Sequence, residues 1–405
     1  MRINLVNVGG FSLLIFLAFG PVYWFGSISP GVVKPILYVF LLMFFISSSL
    51  RIISNRLVFK SNSSFNFFEV ALLISLMFIS SVFNDNFDSF IARTIEFIFI
   101  FILIKAIISD ELIFSYVKNN LWKIGCVIFL LSPIIIMNYL MGMPNWYSPF
   151  EVDGRFPPLY FVGFSGSRTG WSLAISLIYP IFLISGYEYF KTRRVLVLIS
   201  IALYLAAVAI PSGRTGIVVC LFNSVGIIYL YFRNSIISIL FGFLCLLSTL
   251  YFFLINAELF RLSSVIDGGA ISSGRYEGNI IAMNLFTSSP FFGVGKVDLI
   301  NHGLSYSPIH NLWLGFATEY GLFSFLALFY IFVVFFLRTA RSFYKYNWVE
   351  LGAFISVLNG IVFTMVEPGG ILGQLKLQMI FWVSIGILVK RNDQSYIHSQ
   401  QRKHS

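Results

Sequence analysis

The chain has 405 residues, of which 58% are hydrophobic, 18% aromatic and only 11% charged, with a formal net charge of +10 and a mean hydropathy of +0.86. Soluble domains carry about 25% charged residues, so this composition excludes a soluble globular protein. Apolar runs of roughly 20 residues recur along the chain, and each could cross a hydrocarbon core of about 30 Å. The sequence predicts an all-α, polytopic membrane protein whose positive charge reflects topology rather than nucleic-acid binding.

The apolar runs predict about twelve transmembrane helices. They form a single membrane domain over residues 1–391, and a polar cytoplasmic tail follows at 392–405. The first run has no small-residue cleavage site and is interpreted as a retained span. The predicted spans lie near 5–25, 33–50, 67–83, 90–108, 124–142, 171–187, 195–210, 216–232, 235–256, 311–337, 351–365 and 377–389.

Basic residues assign the connections between these spans to the two sides of the membrane. With both termini in the cytoplasm, the basic clusters after the second, sixth, tenth and twelfth spans all face inward, as the positive-inside rule requires. The outward connections then include a large periplasmic loop at about 257–310, between the ninth and tenth helices. Outward loops are normally poor in basic residues, yet these hold Arg155, Arg168, Arg214, Arg261, Arg275, Lys296 and Lys376.

A short repeat places an arginine at the start of two outward-facing helices. SGSRTGWSLAISLI at 165–178 and PSGRTGIVVCLF at 211–222 both have Arg-Thr-Gly before an apolar run. Helix N-termini attract anions, and a guanidinium adds paired donors that match phosphate oxygens. Arg168 and Arg214 could therefore hold a pyrophosphate, and Arg275 lies in the large loop on the same side of the membrane. The alternative is a pair of tight turns whose arginines reach lipid headgroups.

The large loop contains a candidate helix and a candidate turn. GRYEGNIIAMNLF, which begins at Gly274, is weakly amphipathic and predicts a short helix along the membrane surface. SSPFFGVG at 288–295 ends that helix, because Pro290, Gly293 and Gly295 are turn formers. These glycines fit an ordinary turn, or a close approach of backbone to a ligand.

His310 and Asn311 stand at the entrance of the tenth span. A histidine there can be a hydrogen-bonded boundary residue, but a neutral imidazole also suits a general base for a sugar hydroxyl near pH 7. Glu319 lies nine residues further on, at about the opposite face of a continuous helix, and an acidic residue inside a span is a functional candidate. Asp298, His302 and His310 match no zinc spacing, so no metal is expected.

In their order and separation, SGRTG, SGRYEG, SPFFGVG and HNLWLGFATEYGLFS, between Ser212 and Leu326, resemble the bacterial O-antigen ligase/polymerase superfamily. Its ligases carry His-Asn, nine residues, Gly, two residues and then Gly, Thr or Tyr. Here His310, Asn311 and Gly321 match, whereas Ser324 departs from the ligase pattern. That departure, together with SRTGWS before the sixth span, favours a polymerase.

The resemblance implies a glycosyltransferase of the bacterial inner membrane that acts at the periplasmic face on a glycan carried by undecaprenyl pyrophosphate, without metal or cofactor. Arg214 and Arg275 would bind the pyrophosphate and stabilise the leaving group, and His310 would take the proton of the acceptor hydroxyl. The further candidates for substrate binding are Arg168, Arg261, Asn311 and Glu319.

The acceptor distinguishes two activities within the superfamily. In a polymerase it is a sugar of another lipid-linked repeat unit, whereas in an O-antigen ligase it is the lipid A core. The expected partners are the lipid-linked donor, the glycan acceptor and membrane lipids, and they could include a chain-length regulator; nucleic acid is not expected.

A transporter or flippase is the hypothesis from another class. Arg93, Glu96 and Glu319 are charged residues inside predicted spans, and such residues can line a transport pathway. Arg93 and Glu96 are three residues apart and could simply pair with each other. A transporter also predicts two related halves with interrupted helices at equivalent positions, and the sequence shows no such symmetry.

Overall fold

The computed structural model describes residues 5–22, 30–54, 67–141, 168–210, 214–233, 275–304, 309–340, 343–367 and 378–391, with single positions 236, 240, 243, 244, 247, 251 and 372. These residues form helices and turns, and no β-strand occurs among them, which confirms the all-α prediction. In chain order the helices are α1 (Leu5–Phe19), α2 (Pro30–Ser54), α3 (Phe67–Asn84), α4 (Phe87–Ser109), α5 (Glu111–Asn120), α6 (Ile124–Leu140), α7 (Arg168–Pro180), α8 (Tyr187–Phe190), α9 (Arg194–Ala209), α10 (Arg214–Phe232), α11 (Arg275–Ser288), α12 (Leu312–Ala340), α13 (Trp348–Val366) and α14 (378–391).

Several helices are long and apolar enough to cross a membrane, which supports the membrane class. Within the described ranges these are Val33–Arg51, Glu111–Met137, Thr215–Phe232, Leu312–Ala340 and Trp348–Val366. Shorter apolar helices cover Leu5–Phe19, Phe68–Asn84, Thr169–Ser185 and Arg194–Ala209. The count of about twelve spans and the periplasmic position of the large loop stay predictions. Most of the predicted ninth span, residues 257–274 of the large loop and the tail at 392–405 lie outside the described residues.

The connection between α4 and α6 is helical, which the sequence analysis did not predict. Asp110 caps the start of α5, because its Oδ1 accepts hydrogen bonds from the N–H groups of Leu112 and Ile113 at 3.0 and 3.2 Å. Ile113 and Val117 are fully buried one turn apart, as on the apolar face of an amphipathic helix. A search for continuous apolar runs passes over such a short helix, because its other face carries polar residues.

The chain divides into two compact units, each built from three segments. The first consists of Met1–Ser47, Ser115–Ile271 and Trp348–Asn359, and the second of Ser48–Phe114, Ser272–Asn347 and Gly360–Ser405. Three of the boundaries fall within α2, α5 and α13. The sequence prediction of one membrane domain over 1–391 stays a prediction.

The core of the first unit contains large aromatic side chains whose polar groups donate hydrogen bonds to backbone carbonyl oxygens. Trp171 on α7 is fully buried and donates its indole N–H to the carbonyl oxygen of Ala207 on α9 at 2.8 Å. Tyr204 on α9 is also fully buried, and its hydroxyl donates to the carbonyl oxygen of Gly125 on α6 at 2.8 Å. A buried indole or phenol needs such a partner, so these bonds fix how α6, α7 and α9 pack.

Two basic side chains anchor one end of the second unit. The Arg51 guanidinium binds the Asp110 carboxylate through Nε and Nη2, the latter 3.1 Å from Oδ1, and Asp110 is fully buried. Lys390 on α14 donates to the carbonyl oxygen of Ile108 and to the carboxylate of Glu111, both at 2.7 Å. Arg51 and Lys390 both belong to the basic clusters predicted to face inward, and within this unit they meet at the junction of α4 and α5.

Candidate functional site

The two Arg-Thr-Gly segments begin two helices of the first unit that lie side by side. α7 begins at Arg168 and α10 at Arg214. Contacts between α7 and α10 pair residues at a nearly constant separation along the chain, so the helices are parallel and start at the same end. The pairs are Ser172 with Gly216, Ser176 with Cys220 and Tyr179 with Ser224.

Gly216 allows this close approach. A Cβ at this position would overlap the side chain of Ser172 and would lie 2.9 Å from Cγ1 of Val208 on α9. The glycine of the second Arg-Thr-Gly therefore has a steric role at the helix contact. The side chains of Arg168 and Arg214 are not among the described parts of the structure. Their binding of a pyrophosphate therefore stays a prediction.

The helix predicted within the large loop is present as α11, which begins at Arg275 and ends at Ser288, while its place along the membrane surface stays a prediction. It packs against α12, where Thr318 Oγ1 donates to the carbonyl oxygen of Ala282 at 3.2 Å. Ala282 also forms a buried cluster with Leu299 and Ile309. Ile309 precedes His310 in the chain, so α11 supports the segment that carries the candidate base. The Arg275 side chain and the whole of Arg261 lie outside the part of the chain that is described.

α12 is interrupted at Gly321, whose φ of 79° and ψ of 177° are not helical. The interruption frees carbonyl oxygens from the helical hydrogen-bond pattern, and the chain itself binds two of them. Val294 N–H donates to the carbonyl oxygen of Thr318 at 2.9 Å, and Gly295 N–H donates to that of Glu319 at 3.1 Å. Backbone polar groups need such partners wherever water is excluded.

The segment that fills this interruption is the 289–295 turn, predicted as a turn from its glycines and proline. Leu322 N–H donates to the carbonyl oxygen of Pro290 at 2.8 Å. The carbonyl oxygen of Phe292 accepts from Ser80 Oγ and from Asn84 Nδ2, the latter at 2.7 Å. The turn therefore ties the end of α3 to the break in α12. The close backbone approach that its glycines allow is to the protein's own chain.

Glu319 faces a polar group at the start of α4. Its carboxylate accepts a hydrogen bond from Ser89 Oγ and lies 3.4 Å from Asn86 Nδ2. Ser89 Oγ also lies 3.0 Å from the Tyr320 hydroxyl. Glu319 is a candidate from its place in a predicted span, but nothing in the sequence points to Ser89, which lies 230 residues away.

The predicted pairing of Arg93 with Glu96 is confirmed, with Nη1 and Oε2 at 2.9 Å. Arg93 also lies close enough to Glu319 for their charges to interact. One guanidinium thus compensates two carboxylates in this part of the second unit. Carboxylates within apolar helices need such compensation.

Asn311 caps the first turn of α12. Its Oδ1 accepts a hydrogen bond from Leu314 N–H at 3.0 Å, and its carbonyl oxygen accepts from Gly315 N–H at 2.8 Å. This is the usual N-cap arrangement for asparagine. The amide group predicted to contact substrate therefore also stabilises the helix start.

His310 lies beside a buried carboxylate that the sequence analysis did not select. Nδ1 of His310 is 3.5 Å from Oε2 of Glu367, whose residue is only 4% exposed. Glu367 directly follows the last residue of α13. One feature of the sequence could have pointed to Glu367, because it is an acidic residue before Pro-Gly-Gly in a connection predicted to face outward. Its contact with His310 could not be predicted, since the two residues are 57 positions apart in the chain.

The second unit therefore holds His310, Asn311, Glu319 and the start of α11, and the first unit holds the paired starts of α7 and α10. Among the residues that the structure describes, no group of three or more His, Cys, Asp or Glu could hold a metal ion. No family model matches the chain, and no curated protein is significantly similar to it.

Proposed function

We propose that the protein is a membrane glycosyltransferase that polymerises polysaccharide repeat units. It would transfer a glycan from undecaprenyl pyrophosphate to a sugar hydroxyl at the periplasmic face of the bacterial inner membrane. The observation that carries the proposal is the parallel start of α7 and α10, which brings two Arg-Thr-Gly segments to one end of the first unit. The motif resemblance given above supports the same class of reaction.

The parallel helix starts suit a pyrophosphate. The start of each helix is the positive end of its dipole, which attracts anions, and each helix begins with an arginine whose guanidinium can bind two phosphate oxygens. Arg275 offers the same combination at the start of α11. These groups would also stabilise the charge that grows on the departing pyrophosphate.

His310 supplies the base for the acceptor. The acceptor oxygen attacks the anomeric carbon of the donor glycan and passes its proton to the imidazole. The bond from that carbon to the phosphate oxygen breaks, and undecaprenyl pyrophosphate leaves with the electron pair. Proton removal of this kind contributes about 10²- to 10⁴-fold to a rate.

A ligase would differ in its acceptor, the lipid A core. Ser324 stands where the superfamily's ligases have Gly, Thr or Tyr, and it is almost fully buried on α12. Together with SRTGWS at the start of α7, this residue favours the polymerase.

One observation favours a transporter, namely the interruption of α12 next to Glu319. In transporters with broken helices, the freed carbonyl oxygens coordinate the transported ion. Here the carbonyl oxygens of Thr318 and Glu319 accept hydrogen bonds from Val294 and Gly295. The interruption is thus filled by the chain, and the enzyme is the better supported proposal.

The test is reconstitution of the purified protein with lipid-linked repeat units as the only substrate. A polymerase gives a ladder of lengthened lipid-linked products. A ligase gives product only after lipid A core is added, and a flippase moves the lipid-linked unit across the vesicle without lengthening it. Absence of any ladder would overturn the proposal.

A matched pair of variants on α10 tests the pyrophosphate site. Arg214 begins the helix, whereas Arg233 directly follows its other end and is exposed. R214Q should abolish the ladder while R233Q retains it. Equal activity of the two variants would remove Arg214 from the mechanism. H310A and R275A should also abolish the product while leaving the protein inserted.

A further inference from the structure

We infer that Glu367 is a positioning residue that orients His310 for proton removal from the acceptor hydroxyl. The inference rests on the proposed function, because it assigns a role within the same reaction. Nδ1 of His310 and Oε2 of Glu367 lie 3.5 Å apart, and the two side chains are only 19% and 6% exposed. A histidine beside a buried carboxylate is the arrangement that orients a general base in many enzymes.

Two helix ends hold this pair in place. His310 directly precedes the Asn311 cap of α12. Glu367 directly follows α13, and its N–H closes the last turn by donating to the carbonyl oxygen of Phe363 at 2.9 Å. Trp313 Nε1 on α12 donates to Thr364 Oγ1 on α13 at 2.7 Å. The position of the imidazole relative to the carboxylate is therefore set by two anchored helix ends.

A charged Glu367 carboxylate lowers the stability of the fold if His310 does not compensate it. Burial disfavours its negative charge, and so does its place at the C-terminal, negative end of the α13 dipole. A glutamine or an apolar residue would avoid both costs. A positive charge on His310 compensates both, so Glu367 is well placed to stabilise the imidazolium that forms during transfer.

The proposed step uses the neutral imidazole of His310 as the proton acceptor. In a neutral ring protonated at Nδ1, on the side of Glu367, the lone pair that accepts the proton of the sugar hydroxyl belongs to Nε2. In this step the acceptor O–H bond breaks and an Nε2–H bond forms. The contact of 3.5 Å is expected to shorten to a hydrogen bond as the imidazole becomes positive.

The experiment compares E367Q, E367D and E350Q in the ladder assay. The glutamine retains the size of Glu367 but not its charge, whereas the aspartate keeps the charge. Glu350 is the matched control: it is also a buried glutamate of the α13 region, 1% exposed, and pairs with Lys118 at 2.7 Å. E367Q should lower kcat by about 100-fold with KM changed less than about twofold, and E367D should recover part of the loss. E350Q should keep kcat per folded molecule.

The outcomes separate this inference from the proposed function. A wild-type protein that makes no ladder overturns the proposed function itself. A wild-type ladder together with full kcat in E367Q, or with a rise in KM alone, overturns the role of Glu367 and leaves the polymerase standing. Gel filtration and thermal unfolding establish that each variant is folded. If E367Q is recovered unfolded, E367D carries the test: reduced kcat at unchanged KM supports the inference, and full kcat overturns it.

Discussion

Gly293 and Glu319 lie with their backbones in contact, because a Cβ on Gly293 would stand 2.6 Å from the carbonyl oxygen of Glu319. Gly293 has a φ of +73°, and Gly321 on the other side of the contact has a φ of +79°. Two glycines in conformations that other residues rarely adopt therefore allow the 289–295 turn to enter the break in α12. The backbone of a long apolar helix can be interrupted here because the turn satisfies its polar groups.

Replacing Gly321 by Ala should destabilise the protein strongly. Its φ and ψ lie in a region that is almost exclusive to glycine, where another residue costs on the order of 1–3 kcal/mol. The new Cβ would also overlap the carbonyl group of Phe291. Thermal unfolding in lipid nanodiscs should show a clear fall in the midpoint for G321A.

Gly315 offers the control for that variant on the same helix. A Cβ at Gly315 would lie 3.6 Å from Cβ of Ile309, which is an ordinary contact. Because alanine is favoured over glycine in a helix by up to about 1 kcal/mol, G315A should unfold at the wild-type temperature or slightly above it. Equal midpoints for G315A and G321A would mean that the break in α12 does not hold the turn in place.

Replacing Gly216 by Ala should weaken binding of the lipid-linked donor. The added methyl group would push the start of α10 away from Ser172 on α7 and so separate the two Arg-Thr-Gly segments. Donor KM should rise by about tenfold, which corresponds to about 1.4 kcal/mol of binding free energy. The measurement is donor titration in the ladder assay.

The same helix supplies the comparison, since a Cβ at Gly226 would meet no atom within 4 Å. G226A should keep the wild-type KM. A rise in KM in both variants would point to a general effect on α10, and no rise in G216A would remove the paired helix starts as the donor site.

Variants of Asn311 separate capping from substrate contact. Aspartate and serine can accept the hydrogen bond from Leu314 N–H, whereas alanine cannot, and loss of such a cap costs about 1 kcal/mol. If capping is the main role, N311D and N311S keep both stability and activity, and N311A loses stability. If the amide group contacts substrate, N311D and N311S stay stable but lose activity. Unfolding midpoints and ladder yields are measured on the same samples.

Within the described residues, the sequence predicted the bounds of the helices in long apolar runs well. The bounds of α10 at 214–232 and α12 at 312–340 differ by only a few residues from the predicted spans at 216–232 and 311–337. A run of this length is apolar on every side, so its composition alone indicates a helix. α5 was missed because it is short and half polar.

The candidate site was predictable only in its parts. Local patterns pointed to His310, to the turn at SPFFGVG and to both Arg-Thr-Gly helix starts. The partners of these groups were not predictable, because Glu367 and Ser89 lie far along the chain from the residues they contact. A break at Gly321 was equally hidden, since glycine also occurs inside regular helices. Long-range packing selects these contacts, and one sequence does not show which segments meet.

Asp110 should be among the residues most important for the stability of the second unit. Its carboxylate is fully buried and binds the Arg51 guanidinium while it caps α5. D110N keeps a side chain that can cap a helix but removes the charge that compensates Arg51. Breaking a buried ion pair by removing one partner costs about 3–5 kcal/mol, so the unfolding midpoint of D110N should fall sharply.

An exposed pair gives the control for this variant. The Lys191 hydrogen bond lowers the pKa of the Glu188 carboxyl, but both side chains are about half exposed or more, at 49% and 64%. E188Q should unfold at the wild-type temperature, because exposed ion pairs contribute little. The double variant R51Q/D110N should be more stable than the sum of the two single changes predicts, since neither change leaves a charge uncompensated once both are present. Additive losses in R51Q and D110N would contradict a compensating charge pair between Asp110 and Arg51.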